Sequence, residues 1–221
     1  MDFLKKTNKT FGVIACLMTI FSNFILLSIG TGFLRIEYYY VTQALLPCLI
    51  SRIFLIFWCL YFAIGYEYDK AVRNFARCLI PYVILGIIIL LLDTPMAYFF
   101  LIQSTTTLLV LIMMSNMINQ KRFALRSKAY ADKLYQLNVL IGFCIFLVII
   151  YIGLSVPIAI KAQPSEYNIM LLVSAMVCQV FVIVGIFCVD AAEKKFKQSL
   201  ESGAVKKQTQ DAKTETAENE N

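Results

Sequence analysis

Arg52 is the main exception to a set of otherwise charge-free apolar runs, standing in the stretch 49–56 (LISRIFLI). It is the eleventh residue of the run 42–66, about 15 Å of helix below that run's first residue. A guanidinium at such a depth costs ~2.5–3.5 kcal/mol on insertion scales, so it is expected to face a cavity or a partner. The chemistry on offer there is anion binding, to a solute or to a lipid phosphate, from a pocket open to the outer side. Glu37, Asp93 and Glu166 are the acids on that side, and Glu37 and Asp93 would serve as resting partners. The plainer alternative is a structural arginine that snorkels outward or hydrogen-bonds helix carbonyls and tyrosine hydroxyls.

A second polar concentration lies halfway along another apolar run, at Gln103-Ser104-Thr105-Thr106-Thr107. Four hydroxyls in a row cannot share one helical face, so some must bond back to carbonyls one turn earlier. Gln103 and Thr107, at i and i+4, share a face and would line a polar path. Ser104 and Thr107 share one nearly as well. Gln179, Asn23 and Gln43 are single polar residues in other runs. Arg52, Gln103, Thr107 and Gln179 therefore form the candidate ligand-binding set, provided that they converge at one depth. The alternative is that small polar residues simply pack helices together, which needs no ligand.

Absences narrow the chemistry. The chain has no histidine, which removes the commonest general base and the commonest metal ligand. It contains no phosphate-cradling G-x-x-x-x-G-K-[ST], no H-E-x-x-H and no G-x-S-x-G. Apart from residues at run ends, no Asp or Glu lies in any apolar run, so no paired-carboxylate or divalent-cation site is expected. No catalytic residue, metal or cofactor is assigned. The seven cysteines all fall in apolar runs, without C-x-x-C spacing. They read as buried small hydrophobes rather than as disulfides or zinc ligands.

The elements that must position these residues are six apolar runs, at 11–33, 42–66, 78–92, 95–118, 137–160 and 168–189. Most approach the ~20 residues a helix needs to cross ~30 Å of hydrocarbon. The 221-residue chain is 60% hydrophobic, beyond the ordinary soluble range. Lys and Arg crowd into alternate connections. Lys5, Lys6 and Lys9 precede the first run, and Lys70, Arg73 and Arg77 lie between the second and third. Lys121, Arg122, Arg126, Lys128 and Lys133 lie between the fourth and fifth, and six more basic residues follow Val189. The opposite connections hold only Arg35 and Lys161. By the positive-inside rule both termini are cytoplasmic. The first run is longer than a signal-peptide core and no A-x-A site follows, so it reads as a retained span.

Local features refine this picture. Pro47 is expected to bend the second span. Thr94 and Pro95 suit the start of the fourth helix, closing a tight hairpin after Leu92 and Asp93. The third span is short, and Arg77 is expected to snorkel to the headgroups. Segment 119–136 is either an amphipathic surface helix bearing Phe123, Tyr130 and Leu134, or a basic turn between two helices that extend past the membrane. After Val189 a helical extension over 190–203 is expected, with Asp190–Lys194 and Glu193–Lys197 pairs. Residues 206–221 lack aromatic and large aliphatic side chains, and the tail 204–221 is expected to be disordered.

The expected fold is all-α: a polytopic membrane protein, a bundle of six transmembrane helices, with no specific family motif. The net charge of +6 is directed at anionic inner-leaflet headgroups, not nucleic acid. Arg122, Arg126, Lys128 and Lys133 form the expected membrane-surface or partner-docking patch. The expected function is a non-enzymatic transport or permease subunit, which would borrow energy from a soluble cytoplasmic partner. The alternative is a sensing domain that passes ligand binding through the sixth span to a separate partner. A bacterial inner membrane fits the charge asymmetry and the lack of sorting signals.

Overall fold

The computed structural model describes residues 2–30, 46–65, 70–91, 96–125, 127–161 and 164–201. The described residues are helical: α1 Asp2–Gly30, α2 Leu46–Gly65, α3 Lys70–Leu91, α4 Met96–Phe123, α5 Lys128–Lys161 and α6 Pro164–Glu201. Among them, four stretches are long and apolar enough to cross a membrane: Thr7–Ile25, Leu46–Ile64, Lys128–Leu154 and Leu172–Leu200. Such helices are compatible with an integral membrane protein.

The outer face of α5 carries the clearest physical signature. Its inner stripe, Leu134, Ile141, Cys144 and Val148, is buried at near-heptad spacing against α4 and α6. Its opposite face is equally apolar: Leu140, Phe143, Phe146 and Leu154 are exposed. A helix that is hydrophobic all round belongs in a core or in lipid. Five helices, α1, α2, α3, α4 and α6, pack in a closed ring in that order, and α5 flanks α4 and α6 from outside.

Several helices extend past the apolar runs. The third run, through Leu91, belongs to a helix of 22 residues, about 33 Å long, which begins eight residues before the run. Val72, Ala76, Leu79 and Val83 form its buried stripe, so the basic first two turns are held by packing although their hydropathy is low. Pro81 lies inside this helix, and the exposed Arg77 donates from Nε to the Ala63 carbonyl at 3.3 Å. Pro47 is the second described residue of α2, and the turn before it, 42–45, lies outside the described residues.

α4 and α5 meet at a turn. Ala124 N donates to Gln120 O, Leu125 N to Arg122 O, and Ala131 N to Ser127 O. Ser127 thus sits at the N-cap of α5. This is the second of the two arrangements expected for 119–136, with Phe123 exposed and Leu134 buried. α6, at 38 residues, spans about 57 Å and carries the chain beyond Val189 without a break. The hairpin residues Asp93–Pro95, Glu37, Gln43 and the tail 204–221 lie outside the described residues.

Candidate functional site

Four helices bring their polar residues to one place. A cavity of about 30 Å³ is lined by Ala15, Cys16 and Thr19 of α1, and by Ser51, Arg52 and Leu55 of α2. Gln103, Thr106, Thr107 and Val110 of α4, with Gln179 and Val182 of α6, complete it. All four members of the sequence-derived set, Arg52, Gln103, Thr107 and Gln179, therefore converge, and each is buried. The cavity has room for about two waters or one small solute.

The wall is largely self-satisfied. Gln179 Nε2 donates to Thr107 Oγ1 at 3.0 Å, and that hydroxyl donates to the Gln103 carbonyl at 2.9 Å. Thr105 and Thr106 bond back to the Ile102 carbonyl, the pattern required of consecutive hydroxyls. Tyr82 of α3 reaches Thr105 Oγ1. On the α1 side, Ser51 Oγ and Thr19 Oγ1 lie 2.5 Å apart and both approach the Ala15 carbonyl. Their two protons serve three contacts and tie α1 to α2.

Two buried amides break the pattern. Gln103 Nε2 and Oε1 are buried in the cavity wall with no hydrogen-bond partner among the described residues, and both amide atoms of Asn23 are in the same state. A buried amide left unmatched costs about 1–3 kcal/mol. Gln103 is 2% exposed, so bulk solvent does not reach it. Arg52 is held from two sides. Its guanidinium lies within hydrogen-bonding reach of the Cys48 thiol, which in turn is near Ser22. A Cβ added to Gly86 of α3 would stand 3.7 Å from Arg52 Cζ and Nη1. That is ordinary van der Waals contact, so α3 lies against the charge at Gly86, and the tighter approach there is to Ile102 Cγ2 of α4, at 3.3 Å.

A second, larger cavity of about 250 Å³ opens at the basic end of the bundle. Asn8, Lys9, Trp58, Tyr61, Ile186, Val189, Asp190, Glu193 and Lys197 line it. One turn of α6 separates Val182 in the first cavity from Ile186 in the second, about 6 Å along the axis. The partition is tight. A Cβ at Gly12 would meet Ile186 Cδ1 and the Trp58 indole at 2.9 Å, and one at Gly185 would meet Met114 Sδ at 2.6 Å.

Ion pairs frame this lower cavity. Lys9 Nζ lies 2.9 Å from Asp190 Oδ2 and 4.4 Å from the Phe187 ring centre. Lys194 joins Asp190 at 3.2 Å, the i, i+4 pair expected from sequence. Partial burial pushes the Asp190 carboxyl up, but hydrogen bonds from Lys9 and Lys194 outweigh it and hold the group below the usual carboxylate range. Glu193 does not take its expected partner Lys197. It receives Lys121 Nζ of α4 at 3.1 Å, and Lys121, 6% exposed, needs a carboxylate partner more than the exposed Lys197 does. Burial pushes the Lys121 ammonium below the usual lysine range, opposed by Glu193.

The residues expected to dock a surface or partner are more scattered. Arg122 stacks over the Tyr135 ring at 4.6 Å, and Lys133 Nζ lies 5.8 Å from the Tyr130 ring centre. Lys128 is exposed, and Arg126 lies outside the described residues. Six cysteines are buried as expected, but Cys78 is exposed, because it stands beside rather than on the buried stripe of α3. Sequence reasoning missed Thr19, Ser51 and Thr106 in the first cavity, and the whole second cavity. The hydroxyls carried a signal, being polar residues adjacent to or one turn from singled-out positions. The lone tryptophan carried one too, but its distance from Lys9 and Asp190 in the chain hid their meeting. Among the described residues, no group of three His, Cys, Asp or Glu side chains could hold a metal ion. Compared with protein-family models, curated proteins and solved structures, the chain matches none, so its reading rests on its own residues.

Proposed function

We propose that the chain is a six-span integral membrane protein with both termini cytoplasmic, and that it binds a small polar solute between Arg52, Gln103, Thr107 and Gln179. We read it as a non-enzymatic transport or permease subunit of a bacterial inner membrane, working with a cytoplasmic protein partner that docks at Arg122, Arg126, Lys128 and Lys133. The observation that carries the reading is the unmatched Gln103 amide, buried in a cavity where a guanidinium and a second glutamine amide also arrive. Buried side-chain amides are as a rule hydrogen-bonded, so one left unmatched in a cavity wall beside other polar side chains favours an occupant over packing alone. The cavity volume favours a solute of a few heavy atoms or a small ion. The partition of Trp58, Ile186 and Met114 would separate this site from the basic-end cavity, as an alternating-access device requires. An opening to the outer side would fall on 31–45, 92–95 and 162–163, outside the described residues.

The test is thermal unfolding of the purified protein in detergent, with chloride, nitrate, urea and glycine each titrated in turn. A site-bound solute at a hundred times its Kd raises stability by about 2.7 kcal/mol. That rise is expected for at least one probe and is expected to vanish in Arg52→Ala. Retention in Arg52→Lys would show that charge suffices without a bidentate fork. Identical curves for all four probes would sink the ligand reading. Reporter fusions at each connection test the topology separately.

A sensing role has one specific observation in its favour. α6 runs unbroken from Gln179 in the cavity to the ion-paired Asp190 and Glu193, so a shift at the solute would reach the basic end directly. Co-purification of a stoichiometric kinase or regulator, rather than an ATPase or permease chain, would move the reading there.

A further inference from the structure

The 250 Å³ cavity at the basic end is a site in its own right, independent of the solute reading above. Its walls divide by chemistry. Trp58, Tyr61, Ile186 and Val189 form an apolar and aromatic side, in which Trp58 stacks edge-on against Phe62 at 4.7 Å. Lys9, Asp190, Glu193 and Lys197 form a charged side.

The carboxylates on that side are already matched. Asp190 holds both Lys9 and Lys194, and Glu193 holds Lys121. Four lysines thus surround two carboxylates, and the excess is positive. Lys197 is exposed at the rim, and among the described residues no carboxylate lies within ion-pair distance of it. Its own i−4 neighbour, Glu193, is taken by Lys121. In the same wall, Asn8 Oδ1 is buried and receives no donor among the described residues. A matching ligand must therefore carry an anion for Lys197, a donor for Asn8, and an apolar body for the aromatic wall.

We propose that this cavity binds a phosphate ester bearing a neighbouring hydroxyl or ammonium, with the phosphate at Lys197 and Lys9, the donor at Asn8 Oδ1, and the attached apolar body against Trp58 and Tyr61. A phospholipid headgroup from the adjacent leaflet and a soluble phosphate ester share this chemistry. The ion pair from Lys9 to Asp190 joins α1 to α6, and that from Lys121 to Glu193 joins α4 to α6. Occupancy would therefore bear on how tightly the basic end is closed.

Trp58 is the only tryptophan of the chain and lines the cavity, so its fluorescence reports occupancy in the intact protein. The full chain in detergent is titrated with dihexanoyl phosphatidylglycerol, which offers phosphate and hydroxyls. Parallel titrations use dihexanoyl phosphatidylcholine, which lacks a donor and net charge, phenyl phosphate, and inorganic phosphate. The expected result is a saturable Trp58 change with the phosphatidylglycerol, weakened about tenfold or more in Lys197→Gln, the loss of one charge-assisted hydrogen bond. Lys195→Gln, which alters a lysine outside the cavity wall, is expected to leave it unchanged. A matching response to phenyl phosphate, a soluble ester with an apolar body, would assign the soluble source, and a response confined to the phosphatidylglycerol the lipid. A matching response to inorganic phosphate, which has no apolar body, would overturn the proposal. Equal responses to the two lipids, or equal weakening by Lys195→Gln and Lys197→Gln, would overturn the proposal. So would the absence of any saturable change.

Discussion

Replacing Gln103 by methionine separates a packing residue from a binding residue. The side chains are similarly long and unbranched, and the adjoining cavity of about 30 Å³ accommodates the difference. The neighbouring relay is untouched, because Thr107 Oγ1 donates to the backbone carbonyl of Gln103 and accepts from Gln179. What disappears is an amide whose nitrogen and oxygen are both buried and unmatched. Removing that penalty is worth about 1–3 kcal/mol, or roughly 2–12 °C in Tm for a chain of this size. Gln103→Met should therefore unfold at higher temperature than the parent in solute-free detergent, followed by circular dichroism. The same variant should lose the stabilisation that any bound solute confers on the parent. A Tm lowered by several degrees would refute the reasoning, since it would mean that the amide is engaged in the solute-free protein.

Three further outcomes follow from the basic end and the partition. Glu193→Gln should destabilise by about 1–3 kcal/mol, below the usual value for a broken buried pair because Glu193 is 35% exposed. Adding Lys121→Met should restore most of the loss, and a double-mutant cycle in chemical denaturant measures the coupling. Asp190 has its folded pKa depressed below the unfolded value of about 3.9, so its contribution is fully present above that pH. It is lost as pH falls through the folded pKa, and Asp190→Asn should flatten that part of the acid-unfolding profile. Gly12→Ala should push the Trp58 indole aside, since the added carbon would stand 2.9 Å from it. A shifted emission maximum and a loss of about 1–3 kcal/mol are expected, and unchanged emission would show that the partition yields elsewhere.

The residues that matter were visible as exceptions, whereas their relationships were not. Arg52 and Gln103 stand out because charge and amide are costly in an apolar run, a property of the run alone. Run length and hydropathy likewise locate the strongly apolar helices. They miss the first two turns of α3, where Val72 and Ala76 bury a stripe among basic residues. The choice of Lys121 over Lys197 by Glu193 was also hidden, because i, i+4 spacing scores only partners on one helix.

By itself the sequence determined that this is a helical, strongly apolar chain with a few polar residues at depth, since those features depend only on local composition and the 1.5 Å rise of a helix. The tertiary structure decided everything that depends on rotation and contact between helices. It turned Gln103, Gln179 and Arg52 toward one cavity, set Trp58 against Gly12, and gathered Asn8, Trp58 and Lys197 around another. The reason is physical: an apolar helix has no preferred face from hydropathy alone, so close packing at glycines and hydrogen bonds between helices set its rotation.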